Sequence, residues 1–246
     1  DPAGEEQIGR RGLQHRPREE LHQQHRQVAL AEDGLEVALR CSQVGAMLID
    51  YFRKAGIPNG VVNIVQGGPD TGKALSGHAG LDGLLFTGSA QTGIALNRQF
   101  ASRPDTILAL EMGGNNPIIV WDTHDLHSAA VLVVQSAFLS AGQRCTAARR
   151  LIIKQDLYDL FIPELKRLVA RLVIDEPHAE VPPFMGPVID NEAADGLTES
   201  FLALMSHGGR PIRHMTRPQP QRPFLSPGII DVTDMRERPD IELFGP

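Results

Sequence analysis

The chain has 246 residues, 41% hydrophobic and 22% charged, with two cysteines and a net charge of −6. This supports a sizeable core in one large domain or two smaller ones, with the balance of a soluble globular protein. The negative charge speaks against a general nucleic-acid binder. No apolar run of eighteen residues occurs, so no membrane span or membrane partner is expected.

Residues 1–36 are crowded with Arg, Glu, Gln and His and poor in large apolar side chains. Such a segment buries too little surface to offset its chain entropy, so it is expected to be a solvated helix or disordered. It has no apolar core of a secretory signal. Its His22 and His25 have no acidic or thiol partner at a recognisable spacing, so no metal site is expected. Cys41 and Cys145 lie in unlike contexts, which predicts no disulfide framework and a reducing, cytoplasmic setting.

From about residue 40 the pattern becomes regular. Val44, Met47, Leu48, Tyr51 and Phe52 predict a helix over 44–54, ended by Gly56 and Pro58. Val61-Val62-Asn63-Ile64-Val65 reads as a strand before a Gly67-Gly68-Pro69 turn, and 71–78 as a short helix. Then come a strand at 83–87, a helix at 90–102, and strands at 107–110 and 117–121. A long apolar helix is predicted at 125–140, a strand at 151–153 and an amphipathic helix at 157–173. Residues 174–188 read as loop, 192–207 as helix, 211–227 as an irregular proline-rich connection and 228–232 as a strand. Strands alternating with helices predict an α/β fold built from parallel βαβ units.

Two side chains stand in special settings. Cys145 follows a small-residue turn, Ser140-Ala141-Gly142, at the end of the long apolar helix. Glu111 precedes Gly113-Gly114, which leave room for a ligand. A thiol that attacks a carbonyl and a carboxylate that activates water suffice to oxidise an aldehyde to an acid, given a hydride acceptor. The run Gly88-Ser89-Ala90-Gln91-Thr92-Gly93 passes from a buried strand into a helix, with Ser89 as N-cap. The unpaired N–H groups of that first turn suit a pyrophosphate. Taken alone, the same run reads first as an ordinary capped helix, and it is not the G-x-G-x-x-G dinucleotide fingerprint.

Phe86-Thr87-Gly88-Ser89, Leu110-Glu111-Met112-Gly113-Gly114-Asn115-Asn116-Pro117, Gly142-Gln143-Arg144-Cys145 and Glu242-Leu243-Phe244-Gly245-Pro246 together resemble the aldehyde dehydrogenase superfamily in content, order and spacing. The resemblance covers about residues 40–246. It implies a parallel-sheet NAD-binding domain and an α/β catalytic domain of the aldehyde dehydrogenase type, both incomplete. The expected parts are an unmatched segment 1–36, a partial NAD(P)-binding domain 37–112 and a partial catalytic domain 113–246. It implies Cys145 as nucleophile, Glu111 as the base for the hydrolytic water, Gly88–Gly93 on the cofactor, and Glu242 on the nicotinamide ribose. The cofactor implied is NAD, with NADP left open.

Asn115, and the Ala148-Arg149-Arg150 that follows the cysteine, point to a branch of the family that oxidises a succinylated, dicarboxylic semialdehyde in arginine degradation. Arg144, Arg149 and Arg150 then have two readings. Guanidinium forks suit the carboxylates of such a substrate. Alternatively, Arg149 and Arg150 open an ordinary strand and face solvent.

The resemblance also implies an oxyanion-holding asparagine in Pro-Trp-Asn-Phe-Pro and a ribose-gripping lysine in Lys-Pro-Ser-Glu. Neither stretch occurs here, and the lysine position falls near Glu36. Full-length members oligomerise through a later strand. The chain is therefore expected to be a fragment, and an inactive remnant and a non-enzymatic nucleotide-binding module are the alternative readings.

Overall fold

The computed structural model describes residues 28–32 and 42–246. Cys41, His22, His25 and Glu36, and the expectations resting on them, lie outside the described residues. The chain divides into two compact units, Asp1–Glu111 and Met112–Pro246.

The first unit is built around a three-stranded sheet in the order β1–β2–β3, with β1 at Val28–Glu32, β2 at Gly83–Gly88 and β3 at Ile107–Met112. Strand β1 runs parallel to β2, with Val28 opposite Gly83 and Glu32 opposite Thr87. Helices α1 (Ser42–Lys54), α2 (Pro69–Ser76) and α3 (Ala90–Phe100) complete the unit. Leu84 and Phe86 of β2 are buried with Leu81, Leu96 and Phe100, and Leu75, Leu108 and Leu110 pack around them. The burial alternates along β2 after Leu84, as a strand with one covered face requires.

Two expectations fail in this unit. Strand β1 lies inside the segment expected to be a solvated helix or disordered. Its Val-Ala-Leu-Ala-Glu run is too short and too Ala-rich to stand out from the polar stretch before it. Conversely, residues 61–65 form no ladder, and Val61, Val62, Ile64 and Val65 are exposed. A β-prone run becomes a strand only when a neighbour takes its backbone hydrogen bonds, and among the described residues none does.

The second unit opens with a βαβ element. Strand β4 (Pro117–Val120) leads into helix α4 (Leu126–Phe138), and β5 (Arg150–Ile153) returns parallel to β4, with Pro117 opposite Arg150 and Val120 opposite Ile153. Asp125 caps α4, its carboxylate accepting from Ser128 N at 3.1 Å. Helix α5 (Gln155–Val169) packs on α4, and α6 (Asn191–Ser206) follows, capped by Asp190, whose carboxylate accepts from Ala193 N at 2.7 Å. Strands β6 (Arg210–Arg213) and β7 (Ile229–Asp231) pair antiparallel. β6 falls where an irregular connection was expected, because Arg-Pro-Ile-Arg carries neither alternation nor β-branched density. One core joins these elements: Val133, Val134 and Phe138 of α4, Phe161, Leu165 and Val169 of α5, and Ala194 and Leu197 of α6 are all buried.

Candidate active site

Helix α4 ends two residues earlier than its apolar pattern suggests. Ser140 and Ala141 then take φ of 57° and 54°, and Gly142 follows at 68°. Three successive residues in the left-handed region reverse the chain, and the two non-glycine members cost of order 1–3 kcal/mol each. Gly142 is required twice over, since a Cβ there would overlap the carbonyl oxygen of Gly245. The turn delivers Cys145 to the surface, where it is exposed and free.

The loop around the cysteine is held from several sides. Gln143 donates from Nε2 to the carbonyls of Ser140 (3.3 Å) and Pro187 (3.4 Å) and accepts from Ile189 N at 2.8 Å. Asn116, just before β4, donates from Nδ2 to the Cys145 carbonyl at 2.5 Å and to the Ala147 carbonyl at 3.2 Å. Its own carbonyl accepts from Arg149 N and Arg150 N at 2.9 and 3.1 Å. The start of β4 and the cysteine loop are thus one hydrogen-bonded piece.

Arg149 is the main departure from expectation. Its side chain is only 7% exposed. The guanidinium donates to five backbone carbonyls: Leu243 (2.9 Å), Ala147 (3.0 Å), Arg144 (3.1 Å), Gly142 (3.4 Å) and Gly114 (3.5 Å). It also lies 5.1 Å from the centre of the Phe244 ring and 3.2 Å from Glu242 Oε1. Burial lowers its pKa from the ordinary arginine value, and the charges of Glu242 and Cys145 oppose that shift. Arg149 therefore neither faces solvent at a strand start nor has a donor to spare for a substrate carboxylate. Arg150 is exposed, with Nε on the Asn115 carbonyl at 2.7 Å. Arg144 is half-buried, and its Nε has no hydrogen-bond partner.

Glu242 belongs to the same cluster. Its Oε1 is buried and within ion-pair distance of Arg149, yet has no hydrogen-bond partner. Its other oxygen sits over Gly113, where a Cβ would overlap it. Asn115 Nδ2 donates to Asp240 at 3.0 Å, tying the Gly-Gly turn to the same segment. A buried carboxylate oxygen without a donor, above a glycine that must lack a side chain, fits a ligand that brings hydroxyl donors, such as a ribose.

In the first unit, Glu111 is the penultimate residue of β3 and is exposed. Gly88 ends β2, and Ser89 caps α3, its Oγ accepting from Thr92 N at 3.3 Å. Ala90 and Gln91 are exposed in the first turn, with Thr92 half-buried and Gly93 buried behind them. Cys145, Glu242 and Gly113 thus share the second unit, whereas Glu111 and the 88–93 turn belong to the first. Sequence reasoning missed the parts played by Asn116, Gln143 and Arg149. The signal for the first two was their place inside the quoted motifs; Arg149 had none, since its burial depends on carbonyls from three separated stretches.

A family model described as the aldehyde dehydrogenase family matches residues 37–246. The chain is 68% identical over 203 residues to N-succinylglutamate 5-semialdehyde dehydrogenase of Sphingopyxis alaskensis, covering 82% of this chain and 42% of that protein. It is 62% identical over 202 residues to the enzyme of the same name from Novosphingobium aromaticivorans, covering 82% of this chain and 43% of the relative. The chain therefore spans about two-fifths of the length of the curated relatives it matches. Among solved structures, it superposes on a NAD-dependent benzaldehyde dehydrogenase from Corynebacterium glutamicum with a TM-score of 0.75 at 26% identity, over 89% of this chain and 52% of that one.

Proposed function

Since the chain belongs to the aldehyde dehydrogenase family, we propose that it carries the nucleophile, the water-activating base and cofactor contacts for NAD(P)-dependent oxidation of an aldehyde to a carboxylic acid. The substrate we assign is N-succinylglutamate 5-semialdehyde, after the names of its relatives. The observation that carries the reading is the exposed Cys145 at the end of a constrained turn whose loop shares the Arg149 guanidinium with Glu242.

The residues divide the work as follows. Cys145 Sγ forms a bond to the aldehyde carbon, and the loop amides stabilise the charge that develops on oxygen. Gly88–Gly93 and Glu242 would hold NAD, which would supply the hydride acceptor as the carbon–hydrogen bond of the former aldehyde carbon breaks and its carbonyl re-forms. The thioester left on Cys145 is opened by a water whose proton passes to Glu111; the carbon–sulfur bond breaks and the acid leaves. The turn formed by Gly88, Ser89, Ala90, Gln91, Thr92 and Gly93 would hold the pyrophosphate at the positive end of α3. Glu242 Oε1 accepts from the ribose. Arg144, whose Nε is unengaged, and the exposed Arg150 are left to meet the substrate's carboxylates.

The test is absorbance at 340 nm with the chain, N-succinylglutamate 5-semialdehyde and either NAD or NADP under reducing conditions. Reduction of one cofactor is expected, abolished by Cys145→Ser and slowed about a hundredfold or more by Glu111→Gln. No reduction by folded chain would favour the reading of a piece without turnover of its own. Full activity of Cys145→Ser would overturn the mechanism.

A further inference from the structure

We infer that Arg149 is a positioning residue that locks the nucleophile loop and the Glu242–Phe244 segment into one frame, so that Glu242 is held ready for a ligand hydroxyl. The inference deepens the proposed function and rests on it for the identity of that ligand. It follows from how the guanidinium is spent. Arginine has five N–H donors, and here each side chain hydrogen bond goes to a different carbonyl. Three of these, on Gly142, Arg144 and Ala147, belong to the loop that carries Cys145. One, on Gly114, belongs to the Gly-Gly turn. One, on Leu243, belongs to the segment that carries Glu242.

Glu242 is left only partly engaged by this frame. Its Oε1 lies 3.2 Å from the guanidinium without hydrogen-bond geometry. The carboxylate is therefore held by charge and by the Leu243 anchor, while this oxygen keeps its acceptor capacity. A bidentate contact with the arginine would occupy part of this oxygen's acceptor capacity, and a carboxylate with no cation nearby would be costly to bury. Phe244 closes the arrangement, its ring near the guanidinium. A lysine could restore the charge beside Glu242, but its single ammonium cannot reach five carbonyls.

The experiment compares the chain with Arg149→Met, Arg149→Lys, Glu242→Gln and the Arg149→Met/Glu242→Gln double variant. NAD affinity is read by titration calorimetry and backbone order by hydrogen exchange. Arg149→Met is expected to weaken NAD binding about tenfold, as does Glu242→Gln, and the double variant to lose no more than either single one, because both act through the same oxygen. Exchange should rise in 142–147 and in 241–245 for Arg149→Met while 157–169 stays protected. Arg149→Lys, which keeps the charge but loses the carbonyl contacts, should likewise raise exchange in 142–147 and 241–245 and weaken NAD binding by more than about threefold; parental affinity in this variant would overturn the inference, and it also decides the matter if the methionine variant fails to fold. Additive losses in the double variant, or exchange that rises only in β5, would overturn the inference. If the parent chain binds no NAD, the functional reading falls, and the paired rise in exchange alone decides whether Arg149 joins the two segments.

Discussion

Gly142 has a positive φ of 68° and lies against the Gly245 carbonyl, so a methyl group has neither the backbone conformation nor the space it needs. Gly142→Ala is expected to lower stability by about 1–3 kcal/mol, read by denaturant unfolding. An unchanged midpoint would mean that the turn relaxes without strain. That a glycine was needed before Cys145 was legible in the string Ser-Ala-Gly-Gln-Arg-Cys; that two L-residues before it share its backbone region was not, since Ser and Ala carry no such mark. Arg149 shows the same limit more sharply. Nothing in Ala-Arg-Arg-Leu separates a solvent-facing arginine from one buried under carbonyls, because the deciding partners lie at 114, 142 and 243, brought together only by the fold.

At the scale of elements, α4 and α5 are joined at their polar edge by His127, Glu164 and Arg167. Arg167 donates to both Glu164 oxygens, at 2.5 and 3.0 Å, and His127 Nδ1 is 2.6 Å from Oε1. The Arg167 hydrogen bonds, then that of His127, lower the Glu164 pKa from 4.5 to about 2. Because the folded value lies below the ordinary one, this contribution is whole above about pH 4.5 and is lost as pH falls toward about 2. Asp231 behaves alike: burial alone would raise it, but hydrogen bonds from Thr233, Tyr158 and Arg210 bring it to about 2. Unfolding midpoints taken across that acid window should fall less steeply for Glu164→Gln than for the parent, and parallel curves would sink the assignment. The helices themselves were readable from periodicity and caps, as Asp125 and Asp190 illustrate. A β-prone run becomes a strand only where a ladder partner exists, which is why 61–65 misled, whereas β1 and β6 went unseen because their short runs carry little β-branched density.

At the scale of the whole molecule, each unit has its own buried cluster, around Leu84 and Phe86 in the first and around Phe161 in the second. Phe161 is fully buried on α5, while its neighbour Leu160 is 63% exposed. Phe161→Ala should cost about 3–5 kcal/mol, whereas Leu160→Ala should stay within about 0.5 kcal/mol, both measured by chemical denaturation. Similar losses for the two would contradict the burial pattern. The α/β class and the order of the motifs were legible at this scale, because alternating periodicities and motif spacing survive without knowledge of contacts. The way a carboxylate oxygen is left without a donor beside a committed arginine was not, since satisfaction of hydrogen bonds belongs to three-dimensional packing.

The turn before Cys145 has a stereochemical corollary. Ser140, Ala141 and Gly142 follow a path that is the natural one for the mirror-image enantiomer of an amino acid. Ser140 is exposed, so its side chain is free to change. A protein assembled by ligation with D-alanine at position 140 should be about 1 kcal/mol more stable than one carrying L-alanine there, as thermal unfolding would register. At this one corner an enantiomer foreign to ribosomal synthesis suits the fold better than the residue the gene supplies.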